Sequence, residues 1–198
     1  MVNYQKTSKE KKYQLWGNMN TRCYNPNYHK VKPGYKDCTI CNEWLDDREL
    51  FYEWVDMNFY KIKGEPTVEL DKDILLPGNK IYGPDTCIFV PKRINDLFVH
   101  IHGRVDNGLP TGVTYSEKTG TYKVNAMLTC DDSDKKKNVI LGYYDTIEEA
   151  FDVYKEHKKA EIIYIADLYR RKIPEQLYQA MVNWKFDEIA TTKNKQVA

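Results

Sequence analysis

The chain lacks any apolar run near the ~20 residues that a bilayer span requires. Its opening stretch, MVNYQKTSKEKKYQLW, contains no signal-peptide core. The expectation is a protein outside the membrane, working in the cytoplasm. Excess charge is absent too: 30 Lys and Arg stand against 29 Asp and Glu, a net charge of +1. The balance holds in both halves, so nucleic acid could be met only through local basic patches. The candidates are Lys6, Lys9, Lys11 and Lys12, then Lys135, Lys136 and Lys137, and Arg170, Arg171 and Lys172. Five cysteines are an odd number for a disulfide framework, which favours thiols or metal ligands. There is no internal repeat.

What the chain does have is aromatic weight: 16 Tyr, 6 Phe and 4 Trp in 198 residues. That excludes global disorder, since such a chain can bury a core. Residues 13–60 hold much of it. Trp16, Met19 and Cys23 share one helical face, and Trp44, Phe51 and Trp54 suggest a second helix over roughly 43–57. Residues 66–99 read as strand, turn, strand, helix: Thr67–Leu70, a turn at 77–80, Cys87–Val90, then a helix opened by Pro91. Residues 100–108 read as a linker. Three strands follow, over 112–115, 121–128 and 139–144, then Thr146 and Glu149 as a capping box starting a helix. Pro174 opens a last helix ending near Trp184. This pattern predicts an α+β protein: an aromatic-rich domain over 1–104, a sheet-and-helix domain over 105–190, and a polar tail over 191–198.

The second segment carries Gly112-Val113, the Tyr122-Lys123-Val124 strand, Leu141-Gly142-Tyr143 and the Thr146…Glu149-Ala150 helix start. On these it resembles the DNA-binding domain of plant ethylene-response (APETALA-type) factors and their phage relatives. The resemblance implies a three-stranded antiparallel sheet packed on helices and laid in the major groove of double-stranded DNA. By position the contacts would be Tyr115, Lys118, Tyr122, Lys123, Asn125 and Lys137. The strands bear no arginine, the best reader of guanine edges, so contacts would run through Lys, Asn and water.

Residues 13–99 carry Trp16…Met19…Arg22-Cys23-Tyr24-Asn25, Cys41-Asn42-Glu43-Trp44-Leu45, Leu70-Asp71-Lys72-Asp73, and Tyr82…Asp85-Thr86-Cys87…Ile94-Asn95. In that order they resemble a phage HNH (His-Me finger) homing endonuclease. The resemblance implies a ββα-metal domain within a helical wrapper, working in a phage-infected bacterial cell. It also implies phosphodiester hydrolysis with one Mg²⁺ or Mn²⁺ ion. Asp71 would be the metal carboxylate and Asn95 the helix ligand.

The family's general-base His is replaced here by Lys72. Lysine is a cation near neutrality, and Asp71 and Asp73 beside it hold it charged. Lys72 would then be an electrostatic clamp on the phosphate. The alternatives are a DNA-binding protein on the same scaffold without catalysis, and a phage protein that binds and inhibits a host protein. Of the histidines, His29 and His157 stand apart, and His100 and His102 read as linker or phosphate contacts. Cys38 and Cys41 have knuckle spacing, which Cys23 and Cys87 could complete as a structural Zn²⁺ site.

Overall fold

The computed structural model describes residues 2–99, 108–129 and 136–186. His100, His102, Cys130, Lys135 and the 191–198 tail lie outside the described residues. The architecture is α+β, with seven α-helices and small sheets among the described residues. No described helix is long and apolar enough to cross a membrane. The chain divides into two compact units: residues 1–95 with 169–180, and 96–168 with 181–198. The division near 104 expected from composition falls among undescribed residues, and a late segment counts with the first unit.

In the first unit, α1 (Lys9–Tyr24) starts where the Ser8 hydroxyl accepts from the Lys11 N–H at 3.2 Å. It stops at Asn25, whose side chain caps α2 (Pro26–Val31). The buried stripe of α1 is Leu15, Met19 and Cys23: Met19 and Cys23 are as expected, and Leu15 takes the place expected of Trp16. Trp16 lies half-buried beside it, its ring 5.5 Å from Phe51. The single helix expected over 43–57 is two, α3 (Asn42–Asp46) and α4 (Arg48–Asn58). Asp47 breaks it: its backbone is extended, and its carboxylate accepts from the Glu49 N–H at 2.9 Å.

A short parallel pair, β1 (Thr39–Ile40) with β3 (Ile81–Tyr82), has no periodic signal in the sequence. The strand–strand–helix order expected over 66–99 is present. Strand β2 (Val68–Asp71) pairs antiparallel with β4 (Ile88–Pro91), and α5 (Lys92–Val99) follows at once. Pro91 ends the strand and does not open the helix. An aromatic chain ties the helical wrapper to this hairpin. Trp44 stands 4.9 Å from Phe51 and 5.3 Å from Trp54, and Trp54 stands 5.6 Å from Phe89. Tyr60 donates its hydroxyl to the Phe89 carbonyl at 2.8 Å. In residues 169–180, the Tyr169 hydroxyl donates to the Glu65 carboxylate.

The second unit is an antiparallel sheet of β5 (Val113–Ser116), β6 (Thr121–Thr129) and β7 (Lys136–Tyr144) in that order, followed by α6 (Ile147–Tyr169). Thr146 accepts from the Glu149 N–H at 3.2 Å, the expected N-cap contact. The core is Val113, Val124, Ala150, Phe151 and Tyr154, flanked by Tyr122, Leu141 and Tyr144. Helix α7 (Glu175–Val182) comes last in the chain and falls mostly within the 169–180 segment of the first unit.

Gly112 is required for a physical reason. Its φ of +82 is left-handed, and a Cβ there would lie 2.2 Å from the Tyr154 ring. Its carbonyl accepts from the Asn125 N–H at 2.8 Å, so the backbone cannot move away freely. We predict that Gly112→Ala destabilises the second unit by about 3 kcal/mol or more. Urea unfolding followed by Trp and Tyr fluorescence checks this, and an unchanged midpoint refutes it.

Candidate active site and sheet surface

The β2–β4–α5 unit places the expected residues by simple geometry. Strand alternation puts Glu69 and Asp71 on one face of β2, while Val68 and Leu70 are buried on the other. Asp71 is the last residue of the strand, opposite Ile88. Helix α5 buries Ile94, Leu97 and Phe98, which leaves Asn95 on a half-buried side. Its Nδ2 donates to Glu69 Oε2 at 2.6 Å. The helix amide is thus brought to the carboxylate-bearing face of β2, but its direct partner is Glu69 and not Asp71. Glu69 was missed by sequence reasoning. Its signal was the two-residue spacing to Asp71.

Asp71 Oδ1 accepts from the backbone N–H groups of Asp73 at 2.9 Å and Ile74 at 2.7 Å. Oδ2 makes no such bond among the described residues. Burial, then the Asp73 carboxylate, push the Asp71 pKa up from its ordinary 3.8 to about 6, against the two N–H donors and Lys72.

Lys72 is only 5% exposed. Its Nζ donates to the Asn79 carbonyl at 2.9 Å and to Asp73 Oδ2 at 3.0 Å. It also lies 5.9 Å from the Tyr82 ring centre and 6.0 Å from that of Tyr35. Asn79 answers by donating to the Lys72 carbonyl at 2.6 Å. Burial disfavours the ammonium, but Asp73, Cys38 and Asp71 together leave the pKa raised. This cation, expected as a phosphate clamp, is enclosed and engaged in closing the 72–79 loop. His29 Nε2 meets the Arg22 carbonyl at 2.8 Å.

A groove of about 210 Å³ runs between α1 and β2, lined by Lys11, Gln14, Asn18 and Arg22 on the helix and Thr67 and Glu69 on the strand. Arg22 spans it, reaching the Leu70 carbonyl and the Tyr82 hydroxyl, each at 3.4 Å.

Cys23, Cys38 and Cys87 are buried and Cys41 is half-buried, all as free thiols. Burial pushes Cys23 and Cys87 up to about 12, and raises Cys38 and Cys41. Cys23 feels Cys38, and Cys87 feels Cys41. Among the described residues, no three His, Cys, Asp or Glu side chains form a metal-holding group.

On the sheet, the six expected DNA contacts do not share a face. Tyr122 belongs to the packed side, against Val113 and Val124, and Tyr115 leans on it with rings 5.0 Å apart. Lys123 and Asn125 occupy the opposite side, where Asn125 Nδ2 donates to Thr114 at 3.3 Å. Lys118 is exposed in the 117–120 turn, and Lys137 is exposed opposite Leu128. The period of two separates neighbours that position alone had grouped. Comparison of the chain with family models, curated proteins and solved structures returns no match.

The buried Asp71 carboxyl gives a signed expectation. A raised folded pKa means its stabilising contribution is complete below 3.8 and is lost as pH rises through about 6. Asp71→Asn keeps the Oδ1 acceptor and removes the charge. It should be more stable than the wild type above pH 6, by on the order of 2 kcal/mol, with the gap closing below pH 4. Melting temperatures across that range test it; an Asn variant less stable at neutral pH overturns it.

Proposed function

We propose that the chain is a DNA endonuclease whose first unit cuts and whose second unit grips double-stranded DNA through its sheet. The observation that carries the reading is the β2–β4–α5 order with Asp71 at the strand end and the Asn95 amide against Glu69 on the same strand face. That strand face carries two carboxylates, Glu69 and Asp71, with the Asn95 amide bonded to Glu69. That hard-oxygen set fits a Mg²⁺ or Mn²⁺ ion and not a soft metal. Asp71 would hold the ion through its unengaged Oδ2, with Asn95 as the helix ligand and Glu69 orienting the amide. A divalent ion there supplies charge stabilisation to a scissile phosphate. Oδ1 stays bonded to the loop N–H groups and fixes the carboxylate plane. Lys11 and Arg22, in the groove alongside, supply positive charge for a strand leading to Glu69.

A second reading has its own support. Lys72, at the position of the family's base, is a buried cation with two of its three N–H donors engaged. A protein that binds DNA without cutting it would tolerate that arrangement.

Plasmid nicking with Mg²⁺ or Mn²⁺ separates the two. The nuclease reading expects nicking by the wild type, and a loss of about 100-fold or more in Asp71→Ala and Asn95→Ala. An intact plasmid with every metal, alongside salt-sensitive DNA binding, replaces it with the second reading. A zinc content near zero in the purified protein would remove the structural Zn²⁺ expected at the cysteines.

A further inference from the structure

The sheet of the second unit is not uniform along its length. Strand β5 pairs with β6 only through Val124, so residues 125–129 of β6 and 136–140 of β7 form a two-stranded ribbon. The pairing skips Leu141 just where the ribbon begins, and Leu141 packs on the core. Such a bulge re-aims the side chains that follow it.

One ribbon face carries two rungs. Asn125 stands opposite Ile140, and Met127 stands opposite Asn138. Each rung is one primary amide beside one apolar side chain, with the order reversed between rungs. Met127 is 43% and Ile140 56% exposed, and Asn138 is exposed. Apolar groups at such exposure need an occupant more than lone surface residues do.

The chemistry of that face fits one kind of base pair. A primary amide pairs in bidentate fashion with adenine N6 and N7, and an apolar side chain covers the thymine methyl. Across a rung the Cβ atoms are about 5 Å apart, so amide and apolar group can meet the two bases of a pair or step together. Along the strand, rungs recur every ~6.8 Å, close to two base-pair rises of ~3.4 Å. A two-stranded ribbon also suits the ~12 Å major groove of B-form DNA. The deep, narrow major groove of A-form RNA would not admit it.

Charge agrees. The three strands contain Lys123, Lys136 and Lys137 and no Asp or Glu, although the whole protein is nearly neutral. Of the side chains that read G·C pairs, the strands have no Arg for guanine and no carboxylate for the cytosine amino group, and only the lysines could meet a guanine edge.

We infer that the β6–β7 ribbon reads A·T base pairs in the major groove of duplex DNA. Asn125 and Asn138 meet adenine edges, and Ile140 and Met127 cover thymine methyls. This rests on the reading of the second unit as a DNA grip, and is independent of whether the first unit cuts.

The test uses the full chain without divalent metal and fluorescence anisotropy on duplexes of equal length. One duplex is of mixed A·T steps, one is G·C only, and one is the A·T duplex with uracil in place of thymine. The expected result is tighter binding to the A·T duplex, with about a 10-fold loss in Asn125→Ala and in Asn138→Ala confined to that duplex. Uracil should weaken the wild type by several-fold and leave an Ile140→Ser, Met127→Ser variant unaffected. Lys137→Ala should weaken all three duplexes alike and flatten the salt slope by about 1.

Equal affinity for A·T and G·C duplexes overturns the inference and leaves the DNA grip standing. So does an A·T preference that survives uracil and both Asn variants, because the DNA shape would then be the feature read. Absence of binding to any duplex overturns both readings. Light scattering covers the remaining occupant: a dimer made monomeric by Ile140→Ser, with DNA affinity unchanged, assigns the face to a second copy of the chain.

Discussion

The first unit depends on Phe89. Its ring is held by Trp54 and by Phe59, 5.2 Å away, and its carbonyl by the Tyr60 hydroxyl. Strand β4 is buried at every position, so it cannot be satisfied as an isolated hairpin. The helical wrapper is what makes the hairpin possible: Trp44, Phe51 and Trp54 form a wall that β4 closes. Aromatic pairs of this kind add about 0.5–1.5 kcal/mol each beyond their area. With β4 fixed, β2 is fixed by register, and the face carrying Glu69 and Asp71 is set.

At that face the protein carries a strain of electrostatic kind. A carboxylate is kept where burial disfavours its charge, with a second carboxylate beside it. A purely structural turn would manage with Asn, which offers the same acceptor to the Asp73 and Ile74 N–H groups. Groups held at such a disadvantage concentrate at functional positions. Lys72 has the opposite character. Its two hydrogen-bond acceptors, Asp73 and the Asn79 carbonyl, lie inside the loop it closes, and the Tyr35 and Tyr82 rings flank it from outside.

The second unit shows how a small sheet divides its labour. The packed side takes Val113, Val124 and Tyr122, and Gly112 lets the Tyr154 ring come against the backbone. The other side keeps Thr114, Lys123 and Asn125. Beyond Val124 the third strand ends, and the remaining two project their apolar and amide groups together. A bulge at that junction is what changes the sheet from a packed layer into a ribbon.

The order of the longer strands and helices was legible in the sequence alone: alternation marked β2, and Gly and Pro marked the turns. The Thr146 cap was legible for the same reason, since hydrogen bonds between near neighbours follow from local spacing. The split at Asp47 was readable in principle, because Asp caps helices, but a continuous aromatic pattern overrode that cue. The β1–β3 pair left no trace, since two-residue strands have no period. Which partner each polar side chain takes was decided only by the tertiary structure. Asn95 finds Glu69 and Lys72 turns inward because burial and long-range packing set those contacts, and no spacing along the chain encodes them.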